Sequence, residues 1–193
     1  SLVVGNHLGF IDVIVAQSIQ PCVFVTSLEM KQTPLLGQIA DLAGCAYVNR
    51  QNRNNIELEL KELVEVLQSG FRIGLYPESM ASNGEQVLPF KKTLLQAAGF
   101  SGRPIRPYVF NYTKVNGRPV KYQDRDFLCW YGDQPFLESI WRTFQLESIE
   151  CEIEFLPAVS VSPSDDRTFV ANKVHGMIAE KFKPFSLNMN QNL

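Results

Sequence analysis

The sequence predicts a single α/β domain with a central, mostly parallel or mixed β-sheet flanked by helices. Two observations lead to this prediction. Strand-like apolar runs alternate with segments of helical spacing, an order typical of sheets whose strands run parallel beneath covering helices. The chain has 193 residues, which is the length of one domain with a core of its own.

The first part of the chain predicts five strands and four helices in alternation. The predicted strands are Leu2 to Val4, Cys22 to Thr26, Tyr47 to Val48, Phe71 to Tyr76 and Ile105 to Tyr112. The predicted helices are Ile11 to Ile19, Pro34 to Leu42, Asn55 to Gln68, ended by Ser69-Gly70, and Leu94 to Ala98, ended by Gly99. The helix over residues 55–68 has the clearest pattern, because its apolar residues recur every three or four positions.

The last third of the chain has a different pattern. Glu150 to Leu156 alternates acidic with apolar residues, which predicts a half-buried strand. The other predictions are a strand at Phe127 to Tyr131, a helix at Phe136 to Phe144, and a closing helix at Asp165 to Phe182 with Ser164 or Asp165 as its cap. The predicted domain spans residues 1–185, and the polar tail Ser186 to Leu193 is expected to be disordered.

Composition excludes several classes of function. The formal net charge of -2 argues against a nucleic-acid partner. The four cysteines form no CxxC pair, so neither a metal site nor a disulfide framework is expected. No apolar run is long enough to span a bilayer. Because the sequence passes from Ser1 directly into a strand, we expect a native N-terminal segment to precede it and to act as a membrane anchor.

The segment from Asn6 to Asp12 carries the chemistry that is easiest to recognise. It follows the first strand directly and places the Asp12 carboxylate five positions after His7. A histidine oriented by a carboxylate is suited to act as a general base. Five residues of an ideal helix leave two side chains about 140° apart, so His7 must lie in the turn before the helix, where we expect Gly9 to adopt unusual backbone angles. Taken alone, a His/Asp pair at this spacing is more often a polar loop histidine and a surface acid in the first helical turn, because short motifs recur by chance.

His7-x4-Asp12 resembles the HxxxxD motif of the glycerolipid acyltransferases, the family of glycerol-3-phosphate and lysophosphatidic acid acyltransferases. Further segments resemble that family's motifs in the family's order, and such ordered co-occurrence is more specific than any single motif. They are Gly44 to Arg50, Tyr76-Pro77-Glu78-Ser79, Leu88-Pro89-Phe90-Lys91-Lys92 and Ile105-Arg106-Pro107-Tyr108. Trp130-Tyr131-Gly132-Asp133 is similar to a segment of bacterial members.

The resemblance implies a reaction and a set of site residues. The acyl donor would be acyl-CoA or acyl-carrier protein, the acceptor a lipid at the cytoplasmic face of a membrane, and no cofactor or metal would take part. His7 would deprotonate the acceptor hydroxyl, and Asp12 would orient His7. Acceptor contacts are expected from Arg50, Glu78 and Ser79, with Arg50 on a phosphate. The last set of expected contacts, to donor phosphates or lipid headgroups, comprises Lys91, Lys92 and Arg106, for which a solvated basic face is the alternative.

One segment departs from the family pattern. Where the family has Gly-Thr-Arg-Ser, this chain has Ser79-Met80-Ala81-Ser82, followed by an expected turn at Asn83-Gly84. The missing arginine makes glycerol 3-phosphate a less expected acceptor than a lysophospholipid or an amino-acid lipid. Two other functions stay open, a hydrolase that uses the same His/Asp pair and a noncatalytic lipid-binding domain. The second histidine, His175, is expected to be a surface or packing residue.

Overall fold

The computed structural model describes residues 1–33, 36–42, 45–48 and 56–185. Within these residues, seven strands form one sheet. The strands are β1 (Leu2–Gly5), β2 (Val23–Ser27), β3 (Ala46–Val48), β4 (Ile73–Leu75), β5 (Ile105–Val115), β6 (Arg118–Pro119) and β7 (Ile149–Phe155). The helices are α1 (Phe10–Ile19), α2 (Leu28–Gln32), α3 (Leu36–Leu42), α4 (Ile56–Gln68), α5 (Gln96–Ser101), α6 (Arg125–Leu128), α7 (Phe136–Phe144) and α8 (Arg167–Lys181), and a 3-10 helix covers Tyr122–Asp124.

The sheet is mixed, which confirms the predicted fold class. Its order is β3-β2-β4-β1-β5-β6, and β7 also pairs with β5. The strands from β3 to β5 run parallel to one another, whereas β6 and β7 are antiparallel to β5. Because β1 and β4 are parallel neighbours, the segments that follow them leave the sheet at the same edge.

The core lies around the parallel strands. All four residues of β1 are buried, as expected for a strand covered on both faces. Helix α4 adds Leu63 and Leu67, and α8 adds Val174 and Ile178, each pair spaced by four residues on one helix face. Burying a side chain of this size stabilises the folded state by about 1.5–3 kcal/mol, so these contacts hold the central sheet and the ends of the loops that leave it.

Helix α5, predicted at Leu94 to Ala98, begins two residues later and ends three residues later than predicted. Gly99 does not end it, because the helix continues to Ser101 and Gly102 follows with a φ of 66°. The reason for glycine at position 99 is packing, since a Cβ there would lie 2.9 Å from the Ser162 carbonyl oxygen. The predicted stop of α4 is confirmed, with Gly70 in the left-handed region at a φ of 92°.

The strand predicted at Phe127 to Tyr131 is wrong. The chain forms α6 up to Leu128 and then an irregular segment. The backbone groups that a strand would pair are used elsewhere, because the Tyr112 hydroxyl donates to the Leu128 carbonyl and Trp130 N donates to Leu8 O. A short apolar run does not distinguish a strand from a buried helical turn, and here tertiary contacts decide.

Several boundaries also differ from the predictions. Strand β5 runs on to Val115 and turns into β6 through Asn116 and Gly117, both at positive φ, an Asn-Gly hairpin signal that the sequence carries. Strand β4 is shorter than predicted, and α2 was not predicted.

The cap of α8 is Asp166 and neither Ser164 nor Asp165, because the Asp166 carboxylate accepts a hydrogen bond from Phe169 N. Pro34, predicted in the first turn of α3, and the tail at 186–193 lie outside the described residues.

Candidate active site

The chain leaves the sheet after β1 through a fixed turn. Asn6 is buried, and its side chain pairs with the backbone of Phe110 in β5. Its Oδ1 accepts from Phe110 N at 2.8 Å, and its Nδ2 donates to Phe110 O at 3.0 Å. The amide thereby continues the β1–β5 pairing for one residue beyond the strand and sets the position of His7.

His7 and Asp12 are in contact, as the spacing predicted. His7 Nδ1 lies 3.2 Å and 3.1 Å from the two Asp12 carboxylate oxygens. Asp12 is fully buried in the first turn of α1, where its Oδ2 also accepts from the backbone N–H groups of Leu8 and Gly9. The carboxylate therefore binds the free N–H groups at the helix start and the imidazole together, which fixes the ring relative to the helix.

Gly9 serves this turn in a different way from the one predicted. Its φ of 166° is extended backbone and lies outside the left-handed region. A Cβ at this position would lie 3.2 Å from Trp130 N, and Trp130 N donates to Leu8 O at 2.8 Å. Glycine is needed because the segment after α6 approaches the backbone of the histidine turn closely.

A pair of buried tyrosines supports the imidazole on a second side. The Tyr76 ring stacks on His7 with centroids 4.4 Å apart and planes at 19°. The Tyr108 hydroxyl donates to the Tyr76 hydroxyl at 2.9 Å. Burial raises the pKa of both phenols well above its usual value, so both stay neutral. Gly5 makes room for this pair, since a Cβ there would lie 2.2 Å from Tyr108 Cζ.

Glu78 joins two segments of the site through backbone hydrogen bonds. Its Oε1 accepts from His7 N at 2.7 Å, and its Oε2 accepts from Leu88 N at 2.6 Å. Burial raises the pKa of this carboxyl group to about 7, against the opposing effect of the two N–H groups. The geometry gives Glu78 a role in holding the site together, and its contact with an acceptor stays a prediction.

The loop after β4 wraps around the histidine turn. Ser79 has a φ of 68°, at the position where the family pattern has glycine, and Ser82 N donates to His7 O at 2.8 Å. The predicted turn at Asn83-Gly84 is present, with Gly84 at a φ of 80° and Asn83 Oδ1 accepting from Glu85 N. The loop thus positions Ser79 beside the residues that hold His7.

The remaining predicted site residues are distributed differently. Arg50 lies outside the described residues. Lys91 and Lys92 are exposed, and Lys92 Nζ donates to Thr168 Oγ1 on α8 at 2.9 Å. Arg106 is exposed on β5 in register with Val3, so it lies at the start of β1 rather than beside the histidine turn. The structure therefore brings together His7, Asp12 and Glu78, with Ser79 next to Glu78 in the chain, and it separates Arg106 from them.

His175 lies away from this cluster. Its Nε2 is 3.1 Å from Val87 O, and its ring packs edge-on against Phe90 with centroids 5.1 Å apart. These contacts agree with the predicted packing role. The support of the histidine by the Tyr76–Tyr108 pair and by Asn6 was not predicted. Gly5, at the end of β1, pairs with Tyr108 in β5, and a glycine opposite an aromatic residue indicates that the ring packs close to the backbone.

Comparison with known proteins gives consistent matches. The family model described as Acyltransferase matches residues 1–111. Over 92% of the chain, it is 27% identical to the 1-acyl-sn-glycerol-3-phosphate acyltransferase of Neisseria gonorrhoeae, covering 67% of that protein. It is 26% identical to the lyso-ornithine lipid O-acyltransferase of Brucella abortus, with 92% of the chain and 69% of that protein covered.

A solved structure shares the fold. The 1-acyl-sn-glycerophosphate (LPA) acyltransferase from Thermotoga maritima superposes with a TM-score of 0.62 at 17% identity, covering 93% of this chain and 63% of that one. The chain thus spans about two thirds of the length of these proteins. Within the described residues, no helix is both long enough and apolar enough to cross a bilayer.

Proposed function

This chain belongs to the acyltransferase family, and we propose that it transfers a fatty acyl group from an acyl thioester to the hydroxyl group of a lysolipid, with His7 as general base. The enzyme class, an O-acyltransferase, and the lipid nature of the acceptor agree with the names of its relatives. The observation that carries the proposed mechanism is the contact of His7 Nδ1 with the buried Asp12 carboxylate.

The geometry suits a single displacement. With Nδ1 held by Asp12, the Nε2 atom of His7 takes the proton from the acceptor hydroxyl. The resulting alkoxide attacks the thioester carbonyl carbon, so that a C–O bond forms and the C–S bond breaks. The imidazolium then returns its proton to the leaving thiolate. Asp12 stabilises the imidazolium throughout, because its buried negative charge faces Nδ1 directly.

The acceptor proposed is a lysophospholipid or a lyso-form of an amino-acid lipid. Ala81 replaces the arginine that the family pattern has in the loop after β4, which weakens the case for glycerol 3-phosphate. Relatives with both kinds of named acceptor match this chain. Arg50 remains the proposed partner of an acceptor phosphate, on the sequence alone, and Ser79 and Glu78 remain proposed acceptor contacts.

Acyl-CoA or acyl-carrier protein is the proposed donor, and Lys91, Lys92 and Arg106 are its proposed contacts, or contacts of lipid headgroups. Lys91 and Lys92 follow directly on the segment that Glu78 binds at Leu88, which favours them over Arg106. The reaction is proposed to take place at the cytoplasmic face of a membrane, where lysolipid acceptors reside.

The proposal is tested with a panel of acceptors and a labelled acyl thioester. Glycerol 3-phosphate, lysophosphatidic acid, lysophosphatidylcholine and a lyso-ornithine lipid are each incubated with acyl-CoA and with acyl-carrier protein, and the products are read by mass spectrometry. His7→Ala should fold normally and lose at least about a thousandfold in kcat, since it lacks the base. The matched control is His175→Gln, the chain's other histidine, which should retain near-native transfer.

Three results would contradict the proposal. Near-native transfer by His7→Ala would remove His7 from the reaction. Release of free fatty acid at the same rate with and without acceptor would favour a hydrolase. Tight lipid binding without turnover of either thioester would favour a noncatalytic lipid-binding domain.

A further inference from the structure

Helix α7 buries small polar residues and exposes apolar ones, the reverse of an ordinary surface helix. Its two small polar residues, Ser139 and Thr143, are buried, and the Thr143 hydroxyl donates to the carbonyl oxygens of Phe127 and Ser139. Three of its five large apolar side chains point outward instead. Leu137, Trp141 and Phe144 are 64%, 67% and 75% exposed. Surface helices normally bury their apolar stripe, so this arrangement implies that something other than water covers it.

The three exposed side chains form one continuous stripe. At 100° per residue, Leu137, Trp141 and Phe144 lie within about 60° of the helix circumference. We name them the α7 stripe. A stripe with one tryptophan, one phenylalanine and one leucine has the composition of side chains that settle at the boundary between lipid headgroups and acyl chains.

The α7 stripe begins next to the histidine turn. Phe136, the first residue of α7, packs against Phe10 with ring centroids 5.9 Å apart and against Trp130 at 5.0 Å. Phe10 begins α1 three residues after His7, and Trp130 N donates to Leu8 O. Whatever covers the stripe therefore lies close to the histidine turn of the candidate active site.

Charge favours lipid chains over an acidic partner. The single cationic residue of α7 is Arg142, and its Nη2 lies 2.6 Å from the Glu138 carboxylate. This ion pair neutralises the flank of the helix. An interaction through the stripe is therefore expected to depend on apolar insertion rather than on anionic headgroups.

We propose that the α7 stripe is a membrane-docking surface that lies in the interface of a bilayer and brings the histidine turn to the lysolipid. This inference rests on the proposed function for its purpose, because a lysolipid acceptor is itself held in the bilayer. It assigns the docking to three side chains that are not needed for the acyl-transfer chemistry.

The test uses the purified 193-residue chain, neutral phosphatidylcholine vesicles, and vesicles with added phosphatidylglycerol. The double variant Leu137→Gln/Phe144→Gln removes two side chains of the stripe and leaves Trp141 as a fluorescent reporter. Its matched control is Leu58→Gln/Phe169→Gln, which removes a leucine and a phenylalanine that are 57% and 65% exposed on α4 and α8. Vesicle partitioning is measured by co-sedimentation. The depth of Trp141 is measured by quenching with brominated lipids in a Trp130→Phe background, which leaves Trp141 as the one tryptophan of the 193 residues.

The vesicle partition coefficient of the stripe variant should be lower than that of wild type by a factor of roughly ten or more, while that of the control stays within about twofold of wild type. In wild type, brominated acyl chains should quench Trp141, and phosphatidylglycerol should change partitioning little. Equal partitioning of the two double variants, or no vesicle binding by wild type, would overturn the proposal. A wild-type dimer in solution that Leu137→Gln/Phe144→Gln dissociates would also overturn it, because a second copy would then cover the stripe.

The proposal can fail separately from the proposed function. With a short-chain lysolipid below its micelle-forming concentration, the stripe variant should match wild type in acyl transfer, whereas with vesicle-embedded acceptor it should be slower. Equal loss with both acceptors would contradict docking and point to damage at the site. Stripe-dependent vesicle binding by a chain that transfers no acyl group would uphold the docking and contradict the proposed function.

Discussion

The imidazole of His7 is fixed by contacts on two sides. Asp12 holds its Nδ1, and the Tyr76 ring covers its face. Since a shift of about 1 Å in a reacting group is enough to lower a rate by two orders of magnitude, both the stack and the hydrogen bond bear on the position of the imidazole. In the proposed mechanism Tyr76 is therefore a positioning residue, because its ring stacks on His7, the proposed base.

Tyr76→Leu should lower kcat/KM by about tenfold or more, because the flat support of the imidazole is lost. Tyr76→Phe keeps the stack and gives up only the bond to the Tyr108 hydroxyl, so it should stay within about threefold of wild type. Steady-state kinetics across pH and thermal unfolding are measured for both. If Tyr76 had a purely structural role, the loss of kcat/KM in each variant would follow its loss of melting temperature. Equal losses of kcat/KM in Tyr76→Leu and Tyr76→Phe would contradict a role for the ring.

The sequence predicted the candidate site residues that belong to short motifs near the end of a strand. His7, Asp12 and Glu78 were identified because the spacing and order of their motifs are local in the chain. The support by Tyr108 and Asn6 was not, because it depends on the register between β1 and β5, about a hundred residues apart. Hydrogen bonds of that kind follow from tertiary packing, which a local pattern does not report.

Among the connecting segments, the loop after β4 is held at its far end by the last described residues of the chain. Phe185 N donates to Gly84 O at 2.8 Å, and the Phe185 ring packs toward Tyr112 with centroids 6.3 Å apart. A Cβ at Gly84 would lie 1.8 Å from the Phe185 ring. The segment after α8 thus secures the same loop that carries Glu78.

Gly84→Ala should destabilise the fold by about 2–4 kcal/mol, from a left-handed backbone together with a clash against a packed ring. The matched control is Gly102→Ala, since Gly102 has a φ of 66° and a Cβ there would meet no other atom within 4 Å. The control isolates the backbone effect, about 1 kcal/mol. Urea unfolding gives both values, and equal destabilisation would show that the Phe185 contact contributes nothing.

Element boundaries show where local patterns stop being informative. Helix α4 was predicted well, since its amphipathic spacing is long and ends at a left-handed glycine. The segment 127–131 was mistaken for a strand, because five apolar and aromatic residues fit either structure until Leu8 and Tyr112 take up its backbone groups. Both ends of helix α7 were predicted correctly. Which of its faces is buried was not predicted, because that depends on tertiary packing.

For the molecule as a whole, the predicted α/β class is confirmed because alternation of strand and helix is a global pattern that survives local errors. The same topology explains why the site forms at one edge, with the segments after β1 and β4 side by side. Glu78 bridges these segments and the chain at Leu88, so its ionisation is coupled to global folding.

The sign of that coupling follows from the pKa. Burial raises the pKa of Glu78 from 4.5 to about 7, so the folded protein binds the proton more tightly than the unfolded chain. The stabilisation is fully present below pH 4.5 and is lost as pH rises through about 7. Relative to Glu78→Gln, wild type should therefore lose up to about 3 kcal/mol of unfolding free energy across this range.

The measurement is urea unfolding of wild type and Glu78→Gln at a series of pH values on both sides of the window. Taking the difference between the two proteins cancels the titration of every other group. The control is Glu138→Gln on α7, an exposed acid paired with Arg142, which gives the effect of replacing a surface glutamate. A constant difference between wild type and Glu78→Gln would contradict the raised pKa, and a difference that grew in favour of wild type above pH 7 would show that the carboxylate form is the one the fold prefers.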